Sequence, residues 1–307
     1  MSVTDVSIVA PVHGCAGTVD QLATEVLEAV GSLGRSVEVI LIDDRSPDDV
    51  WVRIQRLAET DPRIVGIRLS RNFGQHAAIT AGLRRATGGK VVVMDGDLQD
   101  PPALIPELLE RSDSADVVIA RRSGRYQSRP RLLLGRLYLW LVTILSGTPI
   151  DPAEGGFSVL DRKVVDAFLE FNEADRHYLF VVRWLGFSQV RVEYDRPERV
   201  VGVSSYNLSR RLRHAWSGIM FQSTRFLALV MAFGICVGLL GGLLGTYVIY
   251  QKVIGATAPG WASTVALGAF SFGGIIAVQG IVGLYIGRIF QEVKRRPYYV
   301  VDVTTDG

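Results

Sequence analysis

The chain has 307 residues, enough for about two domains. Its formal net charge is +2, from 33 basic and 31 acidic side chains, which excludes a strongly basic nucleic-acid binder and gives no support for a disordered acidic tail. The hydrophobic share of 48% is high, and the excess is local: residues 226–287 carry one charge, Lys252, in 62 positions, and the other 245 residues hold the remaining 63.

In chain order, residues 1–5 lack the charged start of a signal peptide, so the first part of the chain is expected in the cytosol. An apolar run at 6–12 predicts a strand, and 18–33 has helical period. A second strand at 37–42 ends in Asp43-Asp44, followed by a helix over 47–58. A third strand is expected at 64–69 and a helix over 75–86. A fourth strand at 90–94 ends in Asp95. A helix over 101–111 has Pro in its first turn, and a fifth strand follows at 117–120. Strands alternating with helices predict an α/β domain with a parallel sheet, covered on both faces because the Val/Ile runs are nearly continuous.

The stretch 129–146 sets Arg129, Arg131 and Arg136 against Trp140, Ile144 and Leu145. It fits an interfacial amphipathic helix or an ordinary core-packed one. The stretch 209–221, with Arg210, Arg211, Arg213 and Trp216, fits a membrane surface. Charge-free runs at 226–250 and 260–287 each exceed the roughly 20 residues that span a bilayer core, and predict a helical hairpin. Arg210, Arg211, Arg213 and Arg225 precede it, and Arg288, Lys294, Arg295 and Arg296 follow. The positive-inside rule then places both flanks in the cytoplasm. The organisation expected is a cytoplasmic α/β domain over 1–208, a juxtamembrane helix over 209–225, two spans, and a basic tail over 288–307.

Ligands of open α/β sheets bind beyond the carboxyl ends of the strands. Here those ends carry His13 to Cys15, Asp43-Asp44, Arg71-Asn72, Asp95 to Gln99, and Arg121-Arg122. The most informative is Met94-Asp95-Gly96-Asp97-Leu98-Gln99-Asp100-Pro101-Pro102. Two carboxylates at a strand end suit Mg²⁺ or Mn²⁺ held together with substrate phosphates, and Gln99 can add a third oxygen. Asp43 and Asp44 can accept from a base N–H or a ribose hydroxyl, or cap the turn before Pro47. No Gly-x-Gly-x-x-Gly and no Gly-Lys-Ser/Thr loop is present, which disfavours dinucleotide and P-loop folds. Cys15 and Cys236 lie too far apart to point to a disulfide framework or a zinc site. Only four of the 33 basic residues are Lys, and Arg suits bidentate phosphate recognition.

Pro11-Val12-His13, Ile42-Asp43-Asp44-Arg45-Ser46-Pro47, Arg71-Asn72-Phe73-Gly74 and the acidic motif resemble glycosyltransferase family 2. More narrowly, they resemble its polyprenyl-phosphate branch, which includes bactoprenol glucosyltransferases and dolichyl-phosphate mannose synthase. The resemblance extends through Gly155-Gly156-Phe157 and Arg199 to Tyr206, and on to the C-terminal Gly287 to Pro297. It implies a GT-A nucleotide-diphosphosugar fold with a mainly parallel sheet. It also implies donor contacts from Pro11, His13, Asp43, Asp44, Met94, Asp95, Arg121, Arg199 and Ser205. The metal would be held by Asp95, Asp97 and Gln99, phosphates by Arg121 or Arg122 and Arg199, and the acceptor phosphate by Arg131 and Arg136.

The chain departs from the pattern at four places. His13-Gly14-Cys15 replaces Tyr-Asn-Glu, Ser205 replaces a Lys, Ser158 replaces an Arg, and Gly156 stands where an Asp is often the proposed base. Asp151 or Glu154 is a candidate substitute. A lipid phosphate is already ionised near neutral pH, so losing a base matters less for it than for a sugar hydroxyl.

The function implied is inverting transfer from a nucleotide-diphosphosugar to polyprenyl phosphate at the cytoplasmic face of the membrane, by a multi-pass protein. The resemblance also implies a homo-oligomer, a tetramer. The alternatives are transfer to a lipid or glycan hydroxyl, and a non-catalytic nucleotide-binding scaffold. Arg183-Trp184 matches part of a processive-synthase motif, but Phe180 replaces its Gln, and a packing role is expected. His76, His177 and His214 are read as structural or surface residues.

Overall fold

Runs of Val and Ile alternate with amphipathic segments, and each forms the element its period requires. The computed structural model describes residues 4–123, 151, 153–171, 173, 176–195, 224–254 and 260–306. They fall in two compact units, one from Met1–Tyr126, Asp151–Ser204 and Arg295–Gly307, the other from Gln127–Ile150 and Ser205–Lys294.

The first unit begins β1 (Val6–Val12), α1 (Val19–Gly31), β2 (Val37–Asp43), α2 (Val50–Thr60), β3 (Ile64–Leu69), α3 (Gln75–Arg85) and β4 (Lys90–Val93). A 3₁₀ turn at Pro102–Leu104 leads into α4 (Ile105–Arg111), and β5 (Val117–Ser123) follows. Then come β6 (Glu154–Asp161), α5 (Arg162–Glu170), α6 (Tyr178–Trp184) and β7 (Gln189–Asp195).

The eight-stranded sheet has the order β7-β5-β6-β4-β1-β2-β3-β8, where β8 is Val301–Thr304. The parallel sheet expected from the alternation is realised in β4-β1-β2-β3. The flanks make the whole a mixed sheet. β6 lies antiparallel between β4 and β5, and β8 antiparallel beside β3. Strand direction depends on how the chain returns to the sheet, and local periodicity does not encode that. β6 also opens on Glu154-Gly155-Gly156, a poor strand signal.

Side chains alternate across the central strands. Ile8, Val39, Leu41 and Val92 pack with Leu22, Ile54 and Leu108 on one face. Val9, Ile40, Ile42 and Val93 pack with Ala78, Phe168 and Val182 on the other. Coverage on both faces explains the unbroken apolar runs.

The second unit holds α7 (Thr224–Val253, 30 residues) and α8 (Trp261–Val293, 33 residues). Apolar windows run over Ala232–Gln251 and Phe270–Gly287, with mean hydropathies of 2.0 and 1.7. Both helices are long and apolar enough to cross a membrane. Phe233, Leu243, Ile249, Phe270, Phe272 and Leu284 are exposed. The stretch 288–307, read as a tail, is structured where described. Its first residues continue α8, and residues 301–304 form β8. The amphipathic stretches 129–146 and 209–221 lie outside the described residues.

Candidate active site

The parallel strands place their carboxyl ends along one edge, and the antiparallel β6 brings its amino end to the same edge. The acidic turn leaves β4 there. Met94 donates its backbone N–H to Val9 O at 3.1 Å, and its side chain is fully buried in the core. Asp95 and Asp97 are half-buried at the edge. Gln75, at the start of α3, donates from Nε2 to Asp95 Oδ1 at 2.5 Å. Asp97 Oδ1 accepts the Gln99 N–H at 3.2 Å. The Gly96 carbonyl accepts the Thr18 hydroxyl at 3.1 Å. A Cβ on Gly96 would lie 2.5 Å from Val12 Cγ1 and 2.9 Å from the Pro11 carbonyl oxygen. Close approach to β1, rather than an unusual φ, therefore demands the glycine between the two aspartates.

Does this set of donors suit a divalent cation? Asp95, Asp97 and Gln99 are hard oxygen donors. Among the described residues no group of three or more His, Cys, Asp and Glu side chains is gathered to hold an ion alone. Two carboxylates completed by substrate phosphates are the usual Mg²⁺ arrangement, so the residues fit. The local field is negative. Burial first, then the charges of Asp97, Asp48 and Asp95, push the Cys15 thiol above its ordinary value, against a backbone hydrogen bond with His13 that lowers it.

Asp43 and Asp44, adjacent in sequence, have different surroundings. Asp43 is fully buried: Oδ1 accepts the Ser46 N–H at 2.7 Å, and Oδ2 lies 3.2 Å from Arg68 Nε. Asp44 accepts the Phe73 and Gly74 N–H groups at 2.7 and 2.8 Å, tying the loop after β3 to the end of β2. Burial raises its carboxyl above the usual aspartate value, opposed by those two N–H donors and by His13. His13 is exposed beside it, with Nδ1 3.1 Å from Asp44 O and Asn72 Nδ2 3.4 Å from Nε2. Pro11 is half-buried at the end of β1.

Arg121 and Arg122 end β5. Arg121 is ion-paired with Asp151 at 2.8 Å and Glu193 at 2.5 Å. Arg122 donates from Nε to Tyr194 Oη at 3.4 Å and passes close to β6, where a Cβ on Gly155 would meet its Nη2 at 2.7 Å. A Cβ on Gly156 would stand 3.9 Å from Asp95 Oδ1. This is the position where the family resemblance expects an Asp.

Both candidate substitutes for that Asp are ion-paired with arginines. Burial raises the Asp151 carboxyl, but hydrogen bonds from Arg121 and the Ala153 N–H outweigh it and leave the value lowered. The Glu154 side chain is 1% exposed, with Oε2 held by Arg183 and Oε1 by Arg191 at 2.5 Å. Arg183, expected only to pack within a helix, is thus one half of a buried ion pair.

Four polar residues that hold this edge were given no role from the sequence: Thr18, Gln75, Tyr194 and Asp100. Asp100 sits inside the acidic motif, so its place at the edge was legible; its partner on β7 was not. Arg131, Arg136, Arg199 and Ser205 lie outside the described residues.

The family described as Glycosyl transferase family 2 matches residues 7–166. An uncharacterized glycosyltransferase of Bacillus subtilis is 34% identical over 302 residues, covering 96% of this chain and 92% of the relative. An undecaprenyl-phosphate 4-deoxy-4-formamido-L-arabinose transferase of Klebsiella pneumoniae is 30% identical over 306 residues, covering 97% and 93%. A prophage-derived bactoprenol glucosyl transferase of Shigella flexneri is 34% identical over 268 residues, covering 86% and 87%.

Proposed function

The chain belongs to glycosyl transferase family 2, and from that premise we propose that it moves a sugar from a nucleotide-diphosphosugar to polyprenyl phosphate, with inversion at the anomeric carbon. It is a nucleotide-sugar glycosyltransferase with a GT-A-like fold on a mixed sheet. Relatives named for transfer to undecaprenyl phosphate or bactoprenol match most of its length.

The observation that carries the acceptor class is the state of Asp151 and Glu154. Both carboxylates are held by arginines, so neither is poised to take a proton from a sugar hydroxyl. A phosphate acceptor needs no base, because its oxygen is already ionised near neutral pH. What the reaction requires is leaving-group stabilisation and in-line placement. A divalent Mg²⁺ or Mn²⁺ would supply Lewis-acid stabilisation of the leaving diphosphate, held by Asp95, Asp97 and Gln99. Arg122 faces the same edge and is suited to a donor phosphate. His13, Asn72, Asp44 and Pro11 border the nucleoside end, with Asp43 acting beneath them through Ser46 and Arg68. Arg121 and Met94 act on the donor through their placement: Arg121 by holding Asp151, Met94 by its backbone. Arg199 and Ser205 complete the diphosphate contacts, and Arg131 and Arg136 receive the acceptor phosphate.

The two apolar helices hold the enzyme at the membrane that carries its lipid acceptor. Their basic flanks support a reaction at the cytoplasmic face of the cell membrane. The functional form is a homo-oligomer, as the resemblance to the bactoprenol branch implies.

The test is direct. Purified full-length protein, Mg²⁺ or Mn²⁺, undecaprenyl phosphate and a panel of nucleotide sugars are expected to give a glycolipid. Asp97→Ala is expected to lower the rate by about 10²–10³-fold. Transfer to a hydroxyl acceptor with no lipid phosphate present would overturn the assignment.

A further inference from the structure

The acidic turn is held in a conformation it does not favour. Leu98, between Asp97 and Gln99, has φ +59°, in the left-handed region that branched side chains avoid. Such a residue persists only where its surroundings impose it. Three contacts impose it here. Thr18 holds the Gly96 carbonyl, and Asp97 holds the Gln99 N–H. The third contact is Asp100, whose carboxylate is fully buried directly behind the turn.

Asp100 Oδ2 accepts the Asp95 backbone N–H at 3.1 Å, and Asp100 Oδ1 accepts the Tyr194 hydroxyl at 2.9 Å. Tyr194 is 6% exposed and packs edge-on against Phe157, with ring centroids 6.0 Å apart. Its hydroxyl in turn accepts from Arg122 Nε at 3.4 Å. Burial, reinforced by the charge of Asp100, pushes the Tyr194 phenol up to about 12, so it stays a donor at neutral pH. One continuous chain therefore runs from Arg122 through Tyr194 and Asp100 to the backbone of Asp95.

We propose that Asp100 and Tyr194 are positioning residues that set the aim of the Asp95 and Asp97 carboxylates toward a divalent cation. Neither touches the cation. Asp100 fixes the start of the turn, and Tyr194 fixes Asp100 against β7. The same tyrosine meets Arg122, so the cation side and the phosphate side of the edge share one anchor. A buried carboxylate is costly unless its oxygens are satisfied. Each partner it has therefore constrains where the turn can lie. The inference rests on the reading of Asp95 and Asp97 as the cation's ligands.

The test uses full-length protein in detergent and Mn²⁺ alone, with free Mn²⁺ followed by its EPR signal. Tyr194→Phe keeps the ring packing and removes only the hydroxyl. Asp100→Asn keeps the shape but leaves one acceptor oxygen where the Asp95 N–H and the Tyr194 hydroxyl now use two. Each is expected to weaken Mn²⁺ binding about 10- to 100-fold, as loss of a group supporting a metal ligand does. Raising Mn²⁺ is expected to restore glycolipid formation in both, a rescue that a merely structural lesion would not show. Asp97→Ala, the control, is expected to abolish binding.

Tyr194→Phe that folds and binds Mn²⁺ with wild-type affinity would overturn the proposal. So would failure of both variants to fold, because the pair would then serve the core and not the aim. If the wild-type chain needs no metal to make glycolipid, the ligand reading itself fails, and that result is read without either variant.

Discussion

Glu154 shows how far a residue's chemistry depends on what surrounds it. From the sequence it is a candidate base on the reaction edge. In the fold its side chain is 1% exposed and that of Arg183 10% exposed. Removing one partner of such a pair leaves a buried charge without compensation. Glu154→Ala is expected to cost roughly 3–5 kcal/mol of stability, seen as a fall in Tm. The acid limb of the rate profile in the folded fraction should not move. A shifted acid limb at unchanged Tm would restore its candidacy as a base.

Asp44 makes a pH prediction. Its carboxyl is raised above the ordinary aspartate value, with burial the largest cause. A raised carboxyl favours the folded protein in its protonated form. The stability it contributes is present below the ordinary aspartate pKa and is lost as pH rises through the raised one. Asp44 is therefore not a source of acid unfolding. Protonation does weaken its grip on the Phe73 and Gly74 N–H groups, because a neutral carboxyl is the poorer acceptor. Donor affinity, read as a donor-induced rise in Tm, is expected to fall with pH just above the ordinary aspartate range, before the Tm of the free protein falls. Asp44→Asn should remove that dependence.

At the scale of elements, the most consequential is β8. An open edge at β3 would present unpaired backbone groups to other chains. The chain beyond α8 covers it instead. Ser70 N–H donates to Val300 O at 2.9 Å, and Gly66 and Thr305 exchange bonds of 2.8 and 3.0 Å. Asp302 pairs with Arg45 at 2.7 Å, and Asp306 with Arg85 at 2.5 Å. Tyr299 packs on the core, and Tyr298 Oη donates to Arg176 O at 2.8 Å. Removing residues 298–307 is expected to destabilise the first unit by on the order of 3 kcal/mol and to promote aggregation. Asp302→Ala alone is expected to cost no more than about 1 kcal/mol, since that pair is exposed. Equal effects of the two changes on Tm would show that the ion pair, not the strand, carries the contribution.

Element by element, legibility followed periodicity. β1 to β4 and α1 to α3 were readable because each satisfies its own local pattern. β8 was not, because Val301 and Val303 resemble any short apolar segment until an edge is there to pair with. β6 was hidden by its glycines. At the site, Asp95, Asp97 and Arg122 were readable from their place at strand ends. Tyr194 was not, because nothing near it in sequence names Asp100 as its partner.

At the scale of the molecule, two kinds of surface divide the chain. The first unit carries most of its charges at the surface and its sheet inside. The second exposes Phe233, Leu243, Phe270 and Phe272, an arrangement that water penalises and lipid accepts. The full chain is expected to stay with membranes through a carbonate wash and to leave them only in detergent. Leu243→Arg, within the first apolar window, is expected to oppose insertion by about 3 kcal/mol, read as a larger soluble or degraded fraction. Release of the wild-type chain by carbonate would rule out membrane-spanning helices.

Sequence by itself determined the alternation of strands and helices, the two membrane-length apolar helices and the acidic turn at the end of β4. Each is a local pattern whose physical cause, burial or chain reversal, acts within a few residues. Only the tertiary structure decided that the sheet is mixed, that β8 closes its edge and that Asp43 is buried while Asp44 ties down a loop. It alone decided that Glu154 is locked between arginines and that Tyr194 stands behind the acidic turn. These outcomes depend on groups tens to hundreds of residues apart, and a side chain's charge state and role follow from the partners that folding brings to it.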